Sequence, residues 1–110
     1  MTLGAQAEEA VAKKLKSQGY QILALNWKTR ICEIDIVAKK DDIIYFTEVK
    51  YRSSSSQGSG FDYLTPKKLS QLKFAGRVWT QNQRWDGDWR ILAAQVSGPD
   101  FSDIEVTEIT

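Results

Sequence analysis

Glu33-Ile34-Asp35-Ile36-Val37, then Ile44-Tyr45-Phe46-Thr47-Glu48-Val49-Lys50, is the stretch on which the fold turns. Both runs are rich in β-branched and aromatic residues, and both read as strands. Side chains alternate faces along a strand, so Glu33 and Asp35 share one face and Phe46, Glu48 and Lys50 share another. Lys39-Lys40-Asp41-Asp42 between them is a polar turn of hairpin length. A hairpin can bring Asp35 and Glu48 together beside Lys50. Two carboxylates and an ammonium on rigid strands are ingredients of a divalent-metal site for phosphodiester cleavage. Against this stands the commoner case, in which strand acids face solvent and a Glu–Lys pair is surface electrostatics.

Outward from that hairpin, residues 3–18 read as a helix. Leu3, Ala7, Ala10, Val11 and Leu15 form its apolar stripe, and Gly19 is a natural stop. Glu8 lies at the edge of the stripe, where a carboxylate can face the core rim. Residues 20–27 read as a first strand with apolar residues on both faces, Ile22 and Ala24 against Leu23 and Leu25. Residues 53–60 are a Ser/Gly-rich loop, expected to be mobile. Thr65-Pro66 is a clean helix start, with an N-cap followed by proline at the first helical position. The helix that follows runs to about residue 81, with Leu69, Leu72, Gly76 and Trp79 on its apolar side. Lys67, Lys68, Lys73 and Arg77 make a basic flank suited to phosphate contacts, though such a flank is also what any amphipathic surface helix presents. Residues 89–96 and 104–109 read as two further strands, the last an edge. The order is α-β-β-β-α-β-β: three strands as a meander, then a helical crossover back onto the same sheet. Trp27, Trp79, Trp85 and Trp89 could stack on bases, but core or rim packing explains them more simply.

Composition limits the chemistry. The chain has 110 residues, one cysteine and no histidine. That length suits one domain. The lone Cys32 excludes an internal disulfide, and the missing histidine excludes Ser-His-Asp and Cys-His hydrolases and histidine-based metal sites. Any acid–base work falls to carboxylates, lysines, tyrosines or metal-bound water. The net charge is +1, so a nucleic-acid footprint must be a local patch. With neither a membrane-length apolar run nor a secretory signal, a cytoplasmic protein is expected.

Asp35 followed by Glu48-Val49-Lys50 resembles the signature of the PD-(D/E)XK nuclease superfamily. In order, Gly4-x-x-Ala7-Glu8, Gly19-Tyr20, Asn26-Trp27, Glu33-Ile34-Asp35, Phe46-Thr47-Glu48-Val49-Lys50-x-Arg52 and Thr65-Pro66-Lys67-Lys68 resemble the YraN-like family over residues 3–80. That family is similar to a predicted endonuclease branch of the superfamily, distantly similar to archaeal Holliday-junction resolvases. The resemblance implies a restriction-endonuclease-like core, a mixed central sheet flanked by helices. It implies a nuclease acting on structured or branched DNA with Mg2+ or Mn2+, and junction-cutting relatives suggest a homodimer. Carried over by position, Glu8, Asp35, Glu48 and Lys50 are the candidate catalytic residues. Asp35, Glu48 and the Val49 carbonyl would ligate the cation, with Glu8 and Glu33 holding water or a second ion. Lys50 would orient the attacking water, and Arg52, Lys67, Lys68 and Lys73 would contact nucleic acid. One departure is Cys32, where the family usually has glycine. The rivals are a non-catalytic nucleic-acid-binding or adaptor module keeping the nuclease fold, and an interaction domain pairing through its last strand.

Overall fold

The computed structural model describes residues 1–52 and 61–109. The expected Ser/Gly loop over 53–60 lies outside these described residues. The elements are α1 (Leu3–Ser17), β1 (Gln21–Lys28), β2 (Glu33–Lys40), β3 (Ile43–Tyr51), α2 (Pro66–Gln83), β4 (Trp89–Ser97) and β5 (Asp103–Glu108). They build one five-stranded sheet in the order β1-β2-β3-β4-β5. All neighbours are antiparallel except β3 and β4. The parallel pair is joined through α2, as a crossover connection requires. The α/β architecture and the α-β-β-β-α-β-β order are therefore as the sequence implied.

The β2–β3 turn is tight. Lys40 pairs with Ile43, leaving Asp41 and Asp42 as the two loop residues, at φ 52° and 62°. Two successive left-handed residues are the requirement of a type I′ hairpin, and aspartate tolerates that region better than most side chains. This turn fixes the register that carries Asp35 toward Glu48.

A helix packs on each side of the sheet. Ala7, Val11, Ala12 and Leu15 of α1 pack with Ile36, Ala38, Tyr45, Leu92, Ala94 and Val96. On the other side Ala75 and Trp79 of α2 pack with Ile34, Val37, Ile44 and Phe46. Trp27, Trp85 and Trp89 surround that second cluster, so the tryptophans serve packing. Leu3, placed on the α1 stripe by its spacing, is 57% exposed. It begins the helix, a turn before the first side chain that reaches the sheet. β1 does meet both clusters, but not with the sides its alternation suggests: Ile22 packs with α1, and Ala24 and Trp27 pack with α2. Leu23 and Leu25 are 39% and 47% exposed, because β1 is an edge strand with a register shift between Ile22 and Ala24. Among the described residues no helix is long and apolar enough to cross a membrane.

Candidate active site

The site begins where the β2–β3 ladder stops. The last pair is Ile36↔Thr47, and the same register would set Asp35 opposite Glu48. Here the strands part, and the Asp35 carboxyl takes over the work of the ladder. Its Oδ2 accepts a hydrogen bond from the Val49 backbone N–H at 2.8 Å. Asp35 is thereby fixed by the backbone of the strand that carries Glu48.

The two carboxyl groups are close enough to share a hydrogen bond while Glu48 holds a proton. Burial and the neighbouring Asp35 raise the Glu48 pKa from 4.5 to about 7, despite an opposing pull from Lys68. The Glu48 side chain is 13% exposed, and its Oε2 lies 3.1 Å from Lys68 Nζ. The cation in contact with the acid pair thus comes from α2. Lys50, expected beside the pair, is exposed, and Lys68, expected on a phosphate, faces Glu48. The N-cap helps set this arrangement. Thr65 Oγ1 accepts from the Lys68 backbone N–H at 3.1 Å, so one residue belongs to both cap and site. Thr65→Ala should cost about 1 kcal/mol, read as a lower denaturant midpoint.

Glu8 approaches from α1. Its pKa is raised, first by burial and then by Asp35, with a hydrogen bond from the Asn26 side chain acting the other way. Among the described residues its buried Oε1 has no hydrogen-bond partner. Asn26 lies between the pairs Leu25↔Ile36 and Trp27↔Ile34, level with Asp35, and has φ 52°. Asparagine enters the left-handed region readily, which lets β1 bend at the site. Glu33 is well exposed and sits 4.0 Å from Lys28, yet its charge still bears on Glu8. Cys32 needs no positive φ, so cysteine is tolerated where glycine was expected.

On the far side, Arg52 Nε donates to Gln95 Oε1 at 3.2 Å. Tyr63 donates to the Ala94 carbonyl at 3.2 Å. Burial and then Glu48 raise the Tyr63 pKa, which keeps its phenol protonated. Lys67 is exposed and Lys73 half-buried on α2. Tyr63 and Gln95 were not singled out from the sequence, and Asn26 stood there only within a motif, with no role. The Asn26-Trp27 pair was visible there, but only the cross-strand pairing shows what asparagine does.

Among the described residues, no three acidic or cysteine side chains form a group that could hold a metal ion. The arrangement is an adjacent carboxyl pair, a third acid coupled to it by charge, and one ammonium.

The family model described as Uncharacterised protein family UPF0102 matches residues 7–96. The chain belongs to UPF0102. The match takes in Glu8, Asp35, Glu48, Lys50 and Lys68, and extends through β4, past the segment in which the sequence resemblance was legible. A UPF0102 protein of Flavobacterium johnsoniae is 41% identical over 112 residues, covering 96% of this chain and 91% of its own. One from Syntrophomonas wolfei is 42% identical over 80 residues, covering 73% and 70%. One from Vibrio parahaemolyticus is 33% identical over 107 residues, covering 94% and 88%.

Proposed function

We propose that this UPF0102 member is a nuclease that hydrolyses phosphodiester bonds with Mg2+ or Mn2+, acting on structured or branched DNA. The observation that carries the proposal is the Asp35–Glu48 pair, held at the parting of two strands with the Glu48 pKa raised to about 7. A fold keeps two half-buried carboxyls together at a cost in self-repulsion. A dication removes that cost, because it takes the place of the shared proton. The donor types suit a hard cation: carboxyl oxygens of Asp35 and Glu48 and the Val49 carbonyl would hold it, and Glu8, outside that group as the side chains stand, would act on it through water. When bound, the ion supplies charge neutralisation for the phosphate undergoing attack.

The chain's own residues do the rest. Asp35 is oriented by the Val49 N–H, and Glu48 by the Lys68 ammonium. The Lys68 ammonium brings positive charge to the pair, and the exposed Lys50, two residues along β3 from Glu48, would meet a phosphate entering there. Arg52 and the exposed Lys67 would add phosphate contacts beyond the pair. A homodimer would let two such sites act on both strands of a junction.

Calorimetric titration with Mg2+ should show binding that strengthens between about pH 6 and pH 8, as Glu48 gives up its proton. Asp35→Asn should lose it. On a panel of branched, single-stranded and duplex substrates with Mn2+, Asp35→Ala should lower cleavage by at least about a thousandfold. Cleavage retained by Asp35→Ala sinks the assignment. Salt-dependent binding without turnover in any metal would instead identify an adaptor that keeps the fold.

A further inference from the structure

A cleft of about 640 Å3 runs between the β1–β2 turn and the first half of α2. Among the described residues Lys28, Arg30, Lys67 and Lys68 line it against one acid, Glu33. Between these cations lies an apolar floor of Ile31, Leu72 and Phe74. Among the described residues Ile31 stays 71% exposed and Phe74 42% exposed, so both present apolar surface to water. The turn that presents Ile31 is held by its own hydrogen bonds. Thr29 Oγ1 accepts from the N–H groups of Ile31 and Cys32, both at 3.1 Å, and the Thr29 N–H donates to the Cys32 carbonyl at 2.9 Å. The apolar lip is therefore preorganised.

The geometry points to a binding site for single-stranded polynucleotide in this cleft, with an unpaired base on Phe74 and Ile31 and its flanking phosphates on Arg30, Lys28 and Lys67. An apolar floor between cations matches a nucleotide strand, whose bases offer a flat apolar face and whose backbone offers regularly spaced anions. Duplex DNA presents phosphates but keeps its bases stacked, so it would leave Phe74 and Ile31 unused. Lys68 lines the cleft and touches Glu48, and Glu33 lies two residues from Asp35, so the cleft opens onto the acid pair. In its functional meaning this rests on the nuclease proposal: the substrate class becomes nucleic acid with an unpaired segment at the scissile bond. The binding itself does not depend on cleavage.

The test is fluorescence anisotropy in EDTA, with oligodeoxyuridylate and oligouridylate of about twelve nucleotides and a blunt duplex of equal length. Both single strands should bind more tightly than the duplex if base and phosphate are the groups recognised; a gap between them measures the sugar preference. Phe74→Ala should weaken single-strand binding about tenfold and leave the duplex unchanged, while Phe74→Tyr restores it. Lys67→Ala should weaken both and reduce the salt slope by about one. Circular dichroism confirms that these surface variants fold. The inference is overturned if Phe74→Ala leaves single-strand binding intact. It is equally overturned if sedimentation shows a dimer that Phe74→Ala splits, since a second copy then covers the floor. Single-strand binding through Phe74 with no cleavage in any metal overturns the nuclease proposal alone. Metal-dependent cleavage with a silent Phe74→Ala overturns the cleft alone.

Discussion

Glu48→Gln should make the protein more stable at about pH 8 while removing the proposed cleavage. In the unfolded chain Glu48 gives up its proton near 4.5, and in the fold it keeps it up to about 7. Between those values the folded state binds more protons than the unfolded one, so stability falls as pH rises. The stabilisation is fully present below 4.5 and fully lost above 7. Glutamine mimics the protonated acid in shape and charge, and it keeps the low-pH state at every pH. The gain at pH 8 should be on the order of 2 kcal/mol, after allowing for the part of the carboxyl that meets water. It should vanish at about pH 4. Urea denaturation of both proteins at the two pH values measures it. Adding Mg2+ should raise the midpoint of the parent chain at pH 8 and leave Glu48→Gln where it is. An unchanged or lowered midpoint for Glu48→Gln at pH 8 would mean that Lys68 neutralises Glu48 fully, and that the pair carries no repulsion for a dication to relieve.

That expectation depends on a contact the sequence did not disclose. Alternation along β3 places Glu48 and Lys50 on one face, so Lys50 was the natural cation to assign. The contact with Glu48 comes instead from Lys68, whose position follows from how α2 lies across the sheet. Local signals fixed each end of that relation. Thr65-Pro66 marked the start of α2, and Asp41-Asp42 marked the turn that sets the β2–β3 register. The distance between the ends is a property of tertiary packing, and periodicity carries no information on it. Tyr63 and Gln95 were hidden for the same reason, since each matters through a partner more than thirty residues away. Asp35 was legible because its partner is one short hairpin away, and Glu8 because a carboxylate at the rim of an apolar stripe stands out. The exposure of Leu23 and Leu25 was not legible, because an apolar strand does not say whether it lies at the middle or the edge of its sheet.

Gly76→Val should destabilise the chain by about 2–3 kcal/mol, although valine is a better helix former than glycine. Gly76 lies buried within α2, directly over β3. A Cβ there would stand 2.9 Å from Cδ2 and Cε2 of Phe46 and 3.0 Å from Cζ3 of Trp89. The Phe46 ring has no room to step aside. Phe46 is fully buried, with its ring centroid 5.6 Å from Trp79 and 5.3 Å from Trp89 in edge-to-face contacts. The helix must therefore lift from the sheet, and a helix lifted at Gly76 also moves Lys68 relative to Glu48. The steric origin has a direct check. Phe46→Leu alone should cost about 1–2 kcal/mol, but combined with Gly76→Val it should recover part of the loss. A double-mutant cycle by urea denaturation gives that coupling, expected at about 1 kcal/mol or more. Additive effects would show that the helix accommodates the side chain without displacement, and that the close approach of α2 is not what sets the Lys68–Glu48 distance. The same variants connect packing to the site: Gly76→Val should shift the Glu48 pKa, followed by NMR of its carboxyl carbon, without any change to the acid pair itself.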